Sequence, residues 1–136
     1  LSGSAFPFLV IQVGTAITFD YVDEKGHYTG GAISPGISLR FRALHNFTSK
    51  LPLIGAENKF EEMGMSTKDS ILSGVMNGCL AEMQFRIDKF VNRNNKASVF
   101  IGGGDASYFD ISNENHIFAV PKIVLVGLNH LLNLNP

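Results

Sequence analysis

Glycine-rich segments with a neighbouring hydroxyl or carboxylate are the first candidates for chemistry in this chain. In Val13-Gly14-Thr15-Ala16, a glycine and a threonine hydroxyl lie between two predicted strands. A tight turn there exposes backbone N–H groups beside the hydroxyl, and such a concavity suits a phosphate or another anion. A plain hairpin turn without a ligand explains the same four residues, so both interpretations stay open.

A second segment, Gly102-Gly103-Gly104-Asp105, lies between a predicted strand and a predicted short helix. Glycines allow a ligand to approach the backbone, and a following helix N-terminus favours negative charge. The spacing matches neither the dinucleotide fingerprint nor the Walker loop. The alternative is a steric requirement of the strand-to-helix turn.

A third segment, residues 28–36, contains Gly30-Gly31 and Pro35-Gly36, and a close crossing of two backbones would explain its glycines. The four histidines are scattered without the spacing of a zinc site. Cys79 falls on an apolar helical stripe, which predicts a core residue and not a nucleophile.

The elements that position these segments are predicted from hydrophobic periodicity and from breakers. A meander of three antiparallel strands precedes two helices, and the remaining strands alternate with short helices. Ser66 and Asp69 form a capping pattern at the start of the longest helix. The predicted strands are 8–13, 16–22, 28–33, 98–101 and 117–120, and the predicted helices are 35–47, with Pro35 in its first turn, 67–91, a short one after Asp105, and 121–132.

The length and composition favour one globular domain, and the alternation of strands and helices predicts an α/β architecture for it. The 136 residues are 45% hydrophobic and 17% charged. Their net charge of −1 argues against nonspecific electrostatic binding to nucleic acid. No apolar run reaches the roughly 20 residues of a membrane span. Cys79 is the single cysteine, so we expect a reducing, cytoplasmic setting.

Taken together, the motifs resemble the type III pantothenate kinase family in both order and spacing over nearly the whole chain. The stretch from Arg40 to His45 is most similar to bacteroidete-like members. The matching segments are residues 14–20, 30–36, 43–44, 51–52, 66–75, 103–106 and 127–129.

This resemblance implies a fold and an activity. The element order matches one half of a duplicated ribonuclease H-like (actin/hexokinase-type) fold, with a mixed sheet and covering helices. The family phosphorylates pantothenate with ATP, the first committed step toward coenzyme A. It forms homodimers and uses a monovalent cation, potassium or ammonium. Pantothenate and ATP are therefore the expected partners, with no nucleic acid and no membrane.

The resemblance also implies roles for individual residues. Gly14 and Thr15 match the nucleotide-contacting end of the family's Asp-x-Gly-Thr motif, and Gly103-Gly104 resemble its nucleotide-side glycines. Thr67 matches a threonine that contacts pantothenate. Gln12 stands where the family has an aspartate that binds the cation, so we expect weaker cation binding here, since hard cations favour charged oxygens.

The family's catalytic base belongs to a Gly-x-Asp-Arg motif that would lie upstream of residue 1. We therefore expect residues 1–136 to form a single C-terminal lobe without the N-terminal lobe, and to be inactive alone. Gln12 also leaves open a second hypothesis, a catalytically degenerate relative with a binding or regulatory role. A ribonuclease H-like nuclease fits poorly, because its metals need a carboxylate at the position of Gln12.

Overall fold

A single mixed sheet of five strands organises the part of the chain that the computed structural model describes, residues 7–111, 114 and 116–120. The strand order is β3-β2-β1-β4-β5. β1 pairs antiparallel with β2, and β2 with β3, whereas β4 pairs parallel with β1 and β5 with β4. The predicted meander and mixed sheet are confirmed. The elements are β1 (Phe8–Val13), β2 (Ala16–Val22), β3 (Tyr28–Pro35), α1 (Ile37–Asn46), α2 (Thr67–Arg93), β4 (Ser98–Gly102), a 3-10 turn (Ala106–Tyr108) and β5 (Ile117–Ala119).

The core lies between one face of this sheet and the two helices. Alternate residues of a strand point to opposite faces, and in β1 the side chains of Leu9, Ile11 and Val13 are fully buried. Ile17 and Phe19 of β2 lie directly opposite Val13 and Ile11 and are also fully buried. The same apolar cluster includes buried residues of both helices.

The long helix α2 forms as its sequence predicts. The Ser66 side chain accepts a hydrogen bond from the Asp69 N–H at 3.1 Å, which satisfies one free donor of the first turn. Cys79 lies fully buried on the apolar stripe, and burial raises the pKa of its thiol. Cys79 is therefore a core residue, as predicted.

Two boundaries differ from the prediction. Pro35 does not open α1: it is the last residue of the edge strand β3, where a residue without an N–H is tolerated, and Gly36 precedes the helix. The short helix after Asp105 is a single 3-10 turn. The predicted helix 121–132 lies outside the described residues. Among the described residues, no helix has the length and apolarity needed to cross a bilayer.

Candidate functional site

The candidate site lies at one edge of the sheet, where the parallel strands β1 and β4 both end. Gln12 of β1 is paired with Gly102 of β4 in register. The Gly14-Thr15 turn that follows β1 and the glycines that follow β4 therefore leave the sheet side by side. This parallel pairing brings together two segments that are separated by almost 90 residues of sequence.

Gly103 packs directly on the backbone of Val13. Its φ is +102°, a conformation that strains any residue with a Cβ, and a Cβ there would lie 2.4 Å from the Val13 carbonyl oxygen. The next turn is anchored as well, because the Asp105 N–H donates to the same carbonyl at 3.0 Å. The steric interpretation of this glycine is therefore confirmed at Gly103.

The third glycine segment reaches the same place through Gly36. The Gly36 N–H donates to the Thr15 carbonyl oxygen at 3.0 Å, and a Cβ on Gly36 would lie 2.0 Å from the Gly14 carbonyl oxygen. Only glycine permits backbones to approach this closely. All three glycine segments thus meet around the C-terminal end of β1.

Gly14 and Gly104 differ from these two tightly packed glycines. Within the part of the chain that the structure describes, a Cβ at Gly104 would meet no atom within 4 Å, and one at Gly14 would come no closer than 3.9 Å to another atom. Neither residue has a positive φ. Gly104 and Thr15 are also exposed. The packing of the described residues therefore does not require glycine at positions 14 and 104, and both positions border open space.

Gln12 offers only a neutral amide at the position expected to bind a cation. It is half-buried and lies opposite Thr18 of β2, so the two side chains share a face of the sheet. Within the described residues, no cluster of three or more histidine, cysteine, aspartate or glutamate side chains could hold a metal ion. The oxygens of Gln12 and Thr18 are neutral. This pair therefore lacks the charged oxygens that hard cations favour.

Thr67 lies apart from the glycine segments. It is exposed in the first turn of α2, and Ser66 caps the helix, so the capping role does not fall to Thr67. Thr67 lines an open groove of about 1150 Å³ between α1 and α2, together with Phe47 and Thr48 at the far end of α1. From Thr67 to Glu82, which contacts the start of α1, the helix extends about 22 Å. Thr67 therefore lies at one end of this groove, and Arg40, which also lines it, lies at the other end next to the Pro35-Gly36 segment.

A polar network next to Gly36 was not predicted from the sequence. Arg40 of α1 donates from Nε to the Pro35 carbonyl oxygen at 2.8 Å and from Nη2 to the Ser34 hydroxyl at 3.5 Å. Its Nη2 also forms a hydrogen-bonded ion pair with Glu82 of α2. Partial burial alone would raise the pKa of Glu82, but hydrogen bonds from Ser34 and Arg40 outweigh it and hold that pKa below its ordinary value. Arg40 and Glu82 are 42 residues apart, and no local pattern connects them.

Comparison with known proteins places the chain in a family. The model of the type III pantothenate kinase family matches residues 3–89, which include Gly14, Thr15, Gly36 and Thr67. The chain belongs to this family. Its type III pantothenate kinase relatives include those of Porphyromonas gingivalis (44% identical over 130 residues, 93% of this chain) and Cytophaga hutchinsonii (40% over 127 residues, 93% of this chain).

The chain spans about half the length of these kinases, 53% of the first and 54% of the second. Among solved structures, it is similar to a Campylobacter jejuni protein described as a Baf family transcriptional activator, with a TM-score of 0.68 and 19% identity. The match covers 96% of this chain and 59% of that one. At this identity the likeness shows a shared α/β fold alone. It adds no support to a regulatory role.

Proposed function

We propose that this chain is the C-terminal lobe of a pantothenate kinase, which transfers the γ-phosphoryl group of ATP to pantothenate. The product would be 4'-phosphopantothenate, the first committed intermediate of coenzyme A synthesis, made in the cytoplasm. Family membership over residues 3–89 supports this proposal, as do relatives named for that activity. We further propose that the lobe is one half of a duplicated ribonuclease H-like fold, for which the strand order β3-β2-β1-β4-β5 is the supporting feature.

The observation that carries the proposal is the convergence at the end of β1. Gly36 and Gly103 are explained by packing alone, whereas Gly14 and Gly104 are not. A phosphate group that must approach the backbone closely accounts for glycine at both of the unexplained positions. Thr15, exposed beside Gly14, supplies a hydroxyl donor at the same edge.

In this proposal, the chain's residues bind and orient ATP. The Gly14-Thr15 turn and the Gly103-Gly104 turn hold the phosphates, and most of the catalysis in phosphoryl transfer comes from such positioning and from charge neutralisation. Transfer also requires a base that accepts the proton of the pantothenate hydroxyl. That step belongs to the family's Gly-x-Asp-Arg motif, so the 136-residue chain would bind ATP without transferring phosphate.

The proposal includes a monovalent cation, potassium or ammonium. Gln12 and Thr18 would contribute neutral oxygens to it, and the bound cation would reduce the repulsion between the phosphates of ATP and the attacking oxygen. Because neither ligand is charged, we expect the cation to bind more weakly than it would with an aspartate at position 12.

The groove that contains Thr67 supports a homodimer and a pantothenate contact. Phe47 and Met65 line it, and their side chains are 87% and 97% exposed. Burying a large apolar side chain stabilises an assembly by about 1.5–3 kcal/mol. A second copy seated on this groove would cover both side chains and would enclose Thr67 beside the interface, where its hydroxyl would contact pantothenate.

Equilibrium binding of a fluorescent ATP analogue to the 136-residue chain tests the nucleotide site. We expect saturable binding that Thr15→Ala weakens and that excess ATP reverses. Thr29→Ala is the matched control, because Thr29 is also exposed but lies at the opposite end of β3 from Pro35. Absence of binding, or equal weakening by both variants, would contradict the proposal.

The activity itself is tested by adding the half of the curated relatives that residues 1–136 do not cover. The chain is joined to the N-terminal half of the Porphyromonas gingivalis kinase, and ATP-dependent formation of phosphopantothenate is measured. We expect turnover by the joined protein and none by the 136-residue chain. A joined protein that folds and binds ATP but makes no product would favour the catalytically degenerate alternative.

A further inference from the structure

We infer that Arg40 and Glu82 are positioning residues that hold the Pro35-Gly36 corner under the Gly14-Thr15 turn and thereby set nucleotide affinity. The inference rests on the proposed function for its link to ATP. Its structural part, the docking of the corner, can be tested without any ligand.

Arg40 connects three elements at once. Its Nε donates to the carbonyl oxygen of Pro35, the last residue of β3, and its Nη2 bonds to the Ser34 hydroxyl and to the Glu82 carboxylate of α2. The Arg40 and Glu82 side chains are only 22% and 25% exposed. Charge-assisted hydrogen bonds in such a partly buried site are stronger and more directional than a surface ion pair. The contact with the Pro35 carbonyl means that the pair orients backbone as well as joining two helices.

The Pro35-Gly36 corner passes this constraint to the Gly14-Thr15 turn because the two backbones are in direct contact. Gly36 follows Pro35 directly, and the space beside its Cα is filled by the carbonyl groups of Gly14 and Thr15. The Gly36 N–H is also bonded to the Thr15 carbonyl oxygen at 3.0 Å. A shift of the corner must therefore move the turn or break this hydrogen bond. Because packed backbones cannot be compressed, the position of Thr15 depends on Arg40.

The test compares Arg40→Gln with Arg42→Gln in the full 136-residue chain. Arg42 lies two positions away on the same helix and is exposed, so its substitution controls for loss of a positive charge. Two quantities are measured, the hydrogen-exchange protection of the Gly36 amide and the affinity for the fluorescent ATP analogue. For Arg40→Gln we expect each to fall at least tenfold, and for Arg42→Gln each to stay within twofold of the wild-type value.

Two further variants separate positioning from general stability. Arg40→Lys keeps the charge opposite Glu82 but loses the planar fork that also reaches Pro35. We expect it to keep most of the wild-type melting temperature while losing Gly36 protection. Ser34→Ala removes one hydroxyl from the network. It replaces Arg40→Gln in the test if Arg40→Gln loses hydrogen-exchange protection throughout α2. It should lower Gly36 protection and leave α2 protected.

Either of two results would overturn the inference. Wild-type protection of Gly36 in both Arg40→Gln and Ser34→Ala would overturn it, and so would reduced protection with unchanged affinity for the ATP analogue. If the wild-type chain binds no ATP analogue, the proposed function fails together with the link to nucleotide affinity. Gly36 protection would still show whether Arg40 positions the corner.

Discussion

Gly103 and Gly104 are adjacent glycines for which the structure predicts opposite consequences of the same substitution. Gly103→Ala places a methyl group 2.4 Å from the Val13 carbonyl oxygen in a backbone with φ of +102°. Gly104→Ala places the same methyl group in open space, with no positive φ. The pair therefore separates a glycine that the fold needs from a glycine that a ligand would need.

The expected magnitude for Gly103→Ala follows from two contributions. A left-handed backbone costs a residue with a Cβ about 1–2 kcal/mol. Moving the methyl group away from Val13 would separate the Asp105 N–H from the Val13 carbonyl, which costs about 1 kcal/mol more. The sum, about 2–3 kcal/mol, corresponds to a fall of roughly 10 °C in melting temperature for a domain of this size.

Gly104→Ala should leave the melting temperature unchanged or raise it slightly, because alanine reduces the conformational entropy of the unfolded chain by about 0.4–1 kcal/mol. Its effect should fall on the ligand: we expect roughly tenfold weaker binding of the fluorescent ATP analogue, about 1.4 kcal/mol. Thermal unfolding by circular dichroism and equilibrium titration measure the two quantities. A Gly104→Ala chain as unstable as Gly103→Ala, or one that binds the analogue like the wild type, would refute the reasoning.

Three further predictions concern other parts of the chain. The pKa of Glu82 is held low in the folded state, so the stability that its carboxylate contributes is present near neutral pH and is lost as the pH falls below about 4.5. The difference in melting temperature between wild type and Glu82→Gln should therefore shrink as the pH falls through that range. A difference that stays constant with pH would contradict this prediction. Gln12→Asp in the joined protein should lower the potassium concentration needed for half-maximal turnover, whereas superimposable potassium titrations would exclude a role for position 12 in cation binding. Phe47→Glu should shift the chain from dimer to monomer in sedimentation velocity, whereas Phe85→Glu, at an exposed site 59% accessible outside the groove, should not; equal behaviour of the two variants would argue against this interface.

Much of the local structure was predictable because its causes are local. The period of two in β1 and the period of 3.6 in α2 are visible in the sequence, and both elements form with nearly the predicted bounds. The Ser66 cap depends on a residue three positions away. The prediction for Pro35 is wrong, because proline is compatible with the first turn of a helix and also with the end of an edge strand. In the folded chain, Pro35 pairs with Ala16 as the last residue of the edge strand β3, which selects the second environment.

The sequence also identified the candidate segments, because the order and spacing of the glycine motifs indicate the family. It did not determine what each glycine does. Gly36 and Gly103 are glycines because other backbones fill the space beside them, and those backbones belong to β1 and the turn after it. Among the described residues, no atom lies closer than 3.9 Å to the Cβ position of Gly14, and none lies within 4 Å of that of Gly104. Only the contacts in the folded chain distinguish the two classes.

The tertiary structure alone decided where the candidate residues lie relative to one another. Parallel pairing of β1 with β4 brings Gly104 to the same edge as Thr15, although almost 90 residues of sequence separate the two. The Arg40–Glu82 pair joins residues 42 positions apart. Periodicity and capping report interactions over a few residues, but these arrangements come from the packing of whole elements against one core. The sequence by itself therefore determined the elements and the family, and the packed fold determined which residues act together.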